Sequence, residues 1–200
     1  MTINLAVGFH EPVHQSQQAF RTALNALARP GRLSEVSPSG PTAPGLGQAA
    51  TALMLTLADF ETPVWLDESA SLSSNYFRFH CGCPLTGQHQ TAVIACLTKP
   101  ETAPPLTEFS LGTDLAPELS TTLIIEVERL EQHGPLLLSG PGIRDVHRLA
   151  VDGLGTDWFD QRTALKPLFP RGLDMFLTAG NRLCGLPRTT TIKEAPCTSR

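Results

Sequence analysis

The sequence predicts one α/β domain over residues 1–200, a mixed and mostly parallel sheet flanked by helices, with an α+β arrangement as the neighbouring alternative. Three observations carry this expectation. In the first half of the chain, helical periodicities alternate with short apolar runs. From Thr121 onward the pattern becomes strand-rich and is punctuated by glycine and proline. A chain of 200 residues, 41% of them hydrophobic, is also long and apolar enough to bury a core without disulfide support.

The elements follow in order. His14–Arg29 places Phe20, Leu24 and Leu27 at i, i+4 and i+7, one face of a helix that Ser16 can cap and Pro30-Gly31 stops. Arg32–Val36 alternates as a strand does, and 37–47, with three prolines and three glycines, reads as a loop. Gln48–Asp59 is rich in alanine and leucine, the composition of a largely buried helix. Pro63–Asp67 is a short strand, and Ser74–Cys81 a helix carrying Tyr76, Phe77 and Phe79. Thr91–Leu97 is a continuous apolar run, which suits a strand covered on both faces. Ala103–Gly112 reads as a loop with a helical turn. Later strands are expected over Thr121–Val127, Leu136–Ser139, His147–Val151, Asp174–Thr178 and Arg188–Lys193, the last two joined through a turn at Ala179-Gly180-Asn181. Asp157–Leu168 is a helix that Pro167 ends.

Composition excludes several function classes. A net charge of −4 argues against an autonomous nucleic-acid binder. No apolar run approaches the roughly 18 residues that a membrane span needs. Met1–Gln15 has no basic n-region and its apolar stretch, Leu5–Phe9, is too short for a signal sequence, so a cytoplasmic location is expected. The cysteines (Cys81, Cys83, Cys96, Cys184, Cys197) are odd in number and scattered, which favours reduced thiols.

Candidate chemistry is sparse. Cys81 and Cys83, with His80 and His89 nearby, are the nearest approach to a metal set, but one C-x-C without a second pair favours small structural thiols, and no metal is expected. His10, Glu11 and His14 are acid/base residue types at a helix entry, where surface and anchoring roles are commoner. Ser139–Ile143 follows a strand, and most often such a segment is simply a tight turn; the other reading is that its glycines turn backbone N–H groups toward an anion, although Pro141 removes one donor. In Leu186–Thr190, Arg188 offers a bidentate fork and the threonines hydroxyls, and the same fork equally suits pairing with an acidic neighbour or a subunit contact. Gly140, Gly142, Arg188 and Thr189 are therefore the candidate anion site. G-x-S-x-G, the P-loop, H-E-x-x-H and G-x-G-x-x-G are all absent from the sequence, and no catalytic residue is assigned. Lys99 and Lys166 each precede a proline, and Lys193 lies in a polar stretch, so none has the apolar setting that lowers the pKa of a Schiff-base lysine.

Four segments read together resemble one family. They are Gly8–Val13 with Gln15–Arg21, then Pro30-Gly31, Ser139–Ile143 and Leu186–Thr190, in that order over most of the chain. The family is PhnH, a subunit of the bacterial carbon–phosphorus lyase system for phosphonate use. The resemblance implies a fold similar to the large domain of pyridoxal-phosphate-dependent transferases, without that cofactor. It also implies a homodimer in isolation and partnership with the other core subunits of the complex. That complex is associated with joining an alkylphosphonate to the ribose of ATP, with adenine displaced, and nucleotide or phosphonate are the small molecules this chain would meet. The residues alone leave open a second reading, a stand-alone transferase or hydrolase acting on a phosphorylated small molecule.

Overall fold

The computed structural model describes residues 6–195; Met1–Leu5 and 196–200, with Cys197, lie outside it. The chain enters along an arm that crosses a later helix, then forms α1 (Pro12–Ala28), with proline in its first turn, where a missing N–H costs nothing. Glu11, not Ser16, stands at the helix start, and the Gln15 side chain accepts its N–H at 2.8 Å.

The buried face of α1 is Ala19, Ala23 and Ala26, whereas Phe20 and Leu24 of the expected face are 50% and 58% exposed. Close approach decides this. A Cβ on Gly185 would lie 2.5 Å from the Ala26 carbonyl carbon, so helix and sheet nearly touch backbone to backbone and only small residues fit between.

After β1 (Ser34–Glu35) comes α2 (Gln48–Leu57), buried over most of its length. Then follow β2 (Val64–Leu66), α3 (Ser74–His80), β3 (Ile94–Leu97) and β4 (Thr122–Glu126). All four residues of β3 are buried, as the unbroken apolar run predicts. Phe79 on α3 is exposed, while Tyr76 and Phe77 are buried. The second half contains β5 (Arg129–Ser139), β6 (His147–Asp152), α4 (Thr156–Leu165), β7 (Asp174–Ala179), β8 (Arg182–Leu186) and β9 (Thr191–Glu194).

Six strands form one sheet in the order β1-β8-β7-β4-β3-β2. β2, β3, β4 and β7 run parallel, and β8 and β1 complete one side in antiparallel sense. The mixed, mostly parallel sheet expected from the sequence is therefore present. Three strands do not join it. β6, β5 and β9 make a separate antiparallel sheet, which the sequence did not separate from the main one.

Two strands differ from expectation for local reasons. β8 falls where a single strand after Asn181 was expected to begin only at Arg188; the 179–181 turn instead closes a tight hairpin directly onto Arg182. β5 begins seven residues before Leu136, because His133, Gly134 and Pro135 form an irregularity in mid-strand instead of a turn. His133 has φ 66°, and a Cβ on Gly134 would sit 2.2 Å from the Ala150 nitrogen.

The main sheet is covered on both faces. α1, α2 and α3 pack one face around Leu53, Met54, Phe77 and Ile124. The small sheet, α4 and the β3–β4 connection pack the other around Leu106, Leu123, Leu138 and Trp158. Trp158 Nε1 donates to the Pro100 carbonyl at 3.0 Å, and Gln161 accepts the Leu106 N–H at 2.8 Å, which fastens α4 to that connection. Among the described residues, no helix is long and apolar enough to cross a membrane.

Candidate functional site: a closed hub and an open groove at the two ends of α1

Three segments that are far apart in sequence converge at the C-terminal end of α1. Pro30-Gly31 ends the helix, Gly31 taking φ 80° as it turns into the next segment. The Pro30 carbonyl accepts from His147 Nδ1 at 2.6 Å, and that of Gly31 from Gln132 Nε2 at 2.8 Å. The Ser139–Ile143 turn lies against this bend. A Cβ on Gly142, at φ 82°, would come within 2.3 Å of the Ala28 carbonyl oxygen and 2.9 Å of Pro30 Cδ. One on Gly140 would meet the Thr189 carbonyl oxygen at 3.0 Å.

The Leu186–Thr190 turn completes the hub and is held by two arginines. Arg188 spends every N–H it has. Nε and Nη2 form a fork on the Asp174 carboxylate, with Nη2 at 2.6 Å; Nη1 donates to the Pro117 and Pro170 carbonyls, and Nη2 also to Ser120 Oγ. The same carboxylate accepts the Arg188 backbone N–H at 2.7 Å. From α4, the buried Arg162 donates to the carbonyls of Thr190 (2.9 Å), Leu186 (3.1 Å) and Pro187. Burial pulls the Arg162 guanidinium down to about 10, against the pull of Asp174.

The hub thus brings Gly140, Gly142, Arg188 and Thr189 together, with the Arg188 side-chain donors already engaged within the chain. Arg188 and Thr189 border an open concavity of about 530 Å³ beside Pro117 and Pro170. It lies at Thr122 and Asp174, the first residues of β4 and β7, the edge opposite the strand carboxyl ends where open α/β sheets usually place ligands.

The other end of α1 is different. There the helix, the arm before it, the β1–α2 connection and α2 enclose a groove of about 340 Å³. Gln15, Gln18 and Arg21 from the second part of the N-terminal signature line it at successive i+3 positions, with Phe9 from the first part. Val36, whose N–H bonds the Asn181 carbonyl at 2.9 Å, ties this groove to the carboxyl side of β7. His10, Glu11 and His14 are exposed and do not line it.

The remaining candidates scatter. His89 is paired with Glu108 at 3.1 Å and stacked edge-on to Trp65 and Phe109, away from the cysteines. His80 contacts the Ala6 carbonyl at 3.1 Å. The thiols of Cys81 and Cys83 donate to the backbone carbonyls of Met54 and Phe77. Among the described residues no three histidine, cysteine or acidic side chains gather as a metal-holding group.

Sequence reasoning missed Arg162 and Asp174, whose link to Arg188 exists only after folding. It also passed over Gln15, Gln18 and Arg21, although their i+3 spacing was a readable signal.

A family described as a bacterial phosphonate metabolism protein (PhnH) matches residues 7–193. The chain belongs to the PhnH family. A relative from Rhizobium meliloti (strain 1021), named alpha-D-ribose 1-methylphosphonate 5-triphosphate synthase subunit PhnH, is 38% identical over 187 residues, covering 92% of this chain and 94% of the relative. The C-P lyase subunit protein HtxG of Stutzerimonas stutzeri is 31% identical over 178 residues, 89% of this chain and 86% of its own. The four segments on which the resemblance rests divide between the two ends of α1, with Phe9, Gln15, Gln18 and Arg21 of the first at the groove and the other three at the hub.

Proposed function

We propose that this chain is an accessory subunit of a carbon–phosphorus lyase assembly. It supports formation of α-D-ribose 1-alkylphosphonate 5-triphosphate from ATP and an alkylphosphonate, with adenine displaced. The observation that carries the reading is 38% identity to a named synthase subunit across nearly the full length of both chains. An accessory role is supported by the hub, where the Arg188 side-chain donors are all engaged in holding the chain together.

The contacts with other subunits are assigned to the outer face of α1, where Val13, Phe20 and Leu24 are 81%, 50% and 58% exposed. In isolation the chain forms a homodimer, and it acts in the cytoplasm. Its 200 residues work as one domain, similar to the large domain of pyridoxal-phosphate-dependent transferases but holding no such cofactor. In keeping with this, Lys99 and Lys193 are exposed, and Lys166 ends α4 with its amine on Thr191.

Co-expression with the other core subunits tests the reading. A tagged chain is expected to bring them down, and a Phe20→Ser, Leu24→Ser double variant to release them while melting as the parent does. Recovery of the tagged chain alone at every salt concentration overturns it.

A further inference from the structure

The groove at the start of α1 has a chemical character of its own. Its volume, about 340 Å³, is within the range of small-molecule sites, and it lies on the carboxyl side of the main sheet. Its walls divide by chemistry. Phe9, Val36 and Pro41 supply flat or branched apolar surface, while Gln15, Gln18 and Arg21 supply polar groups from one helix.

The arm that brings Phe9 is fastened in place. Tyr76 Oη donates to the Val7 carbonyl at 3.1 Å, His80 meets the Ala6 carbonyl, and Gly8 lies so close to the His80 ring that a Cβ would be 2.8 Å from it. The apolar wall is therefore preformed rather than assembled on demand.

Charge decides the ligand class. Among the described residues, the ion pairs use other cations, and Arg21 takes part in none of them. The acid in the lining, Glu35, is already held by Arg182 at 3.1 Å. The Gln15 carbonyl oxygen is occupied by the Glu11 N–H, so this side chain has its NH₂ group left to offer. The polar side of the groove thus presents hydrogen-bond donors and one uncompensated guanidinium next to apolar walls.

We propose that this groove binds a small organic anion. Arg21 takes the carboxylate, phosphate or phosphonate head in bidentate fashion, Gln15 and Gln18 donate to its oxygens, and the apolar body rests on Phe9 and Pro41. The proposal goes beyond the assembly reading and does not depend on it, since the groove is complete in the isolated chain.

Calorimetric titration of the full chain with phenylphosphonate, benzoate, inorganic phosphate and benzyl alcohol tests it. Phenylphosphonate or benzoate is expected to bind saturably at one site per chain, inorganic phosphate about tenfold more weakly, and benzyl alcohol not at all. Arg21→Gln is expected to weaken the aromatic anion by about tenfold to a hundredfold with an unchanged melting temperature, because Arg21 is exposed. Phe9→Ala is expected to weaken the aromatic anion but not inorganic phosphate. Absence of saturable binding by both aromatic anions, or equal binding by the parent and Arg21→Gln, overturns the proposal. Co-purification of Arg21→Gln with the other subunits reads the assembly function separately, so either idea can fail alone.

Discussion

At its C-terminal end α1 runs into a hub where glycines lie against backbone and the Arg188 donors are all engaged; at its N-terminal end it borders a groove with an uncommitted guanidinium. Both regions contain segments on which the family resemblance rests. Their physical states differ: in the hub the Arg188 side chain has all its donors engaged within the chain, whereas in the groove Arg21 takes part in no ion pair among the described residues. Shared sequence signatures therefore do not imply shared tasks. Gly140 and Gly142 lie close against backbone, whereas an ordinary-looking row of glutamines and an arginine lines an open groove.

Substitutions in the hub are expected to cost stability and leave the groove intact. Arg188→Ala carries the largest effect. It strands the Asp174 carboxylate and the carbonyls of Pro117 and Pro170, and about 3 kcal/mol of unfolding free energy is expected to be lost. Urea titration measures it, and a loss near zero would break the contrast between the regions. Gly142→Ala comes next, at about 2 kcal/mol, because φ 82° and the Ala28 carbonyl both reject a side chain. In each case binding of phenylphosphonate to the folded fraction is expected to be unchanged.

On the outer face of α1 the order reverses. Phe20→Ser with Leu24→Ser is expected to move stability by less than about 0.5 kcal/mol per site while abolishing capture of the other subunits. Equal loss of stability and capture would erase the distinction.

The smallest effect concerns Glu126, at the end of β4, whose carboxylate accepts the Gly47 N–H at 2.7 Å at the start of α2. Burial raises its carboxyl above the ordinary range, and the Gly47 hydrogen bond opposes this only in part. The native state then holds that proton more tightly than the unfolded chain does. Its stabilising share is present below the ordinary carboxylate range and fades as pH rises through the raised value. Glu126→Gln keeps an acceptor for Gly47 and is expected to flatten that slope, which urea midpoints at acid and neutral pH would show.

Much of this fold could be read from the chain. β3 announces itself because a strand buried on both faces has no polar residue to interrupt it, and α2 because alanine and leucine suit a helix walled in by other elements. The Phe20–Leu24 stripe misled for the converse reason. Periodicity reveals that a face is apolar, not what covers it, and here small alanines meet a bare glycine while the large residues turn outward. β5 was shortened because glycine and proline, usual marks of a turn, sit inside a bulge. The hub's chemistry was hidden since Arg162, Asp174 and Arg188 become neighbours only through three different elements. The groove was legible in the i+3 row of Gln15, Gln18 and Arg21, but volume is a property of the packed chain and not of any segment.

The contact of Ala26 with Gly185 also sets an order of events. α1 is synthesised well before β8, part of the surface it seats on. During synthesis α1 can pack on α2 but waits for its seat on the sheet, and the β1–β8 pairing waits with it. A nascent chain halted before Arg182 holds α1 without the bare glycine that Ala26 meets, so the close docking of this helix on the sheet follows the synthesis of β8.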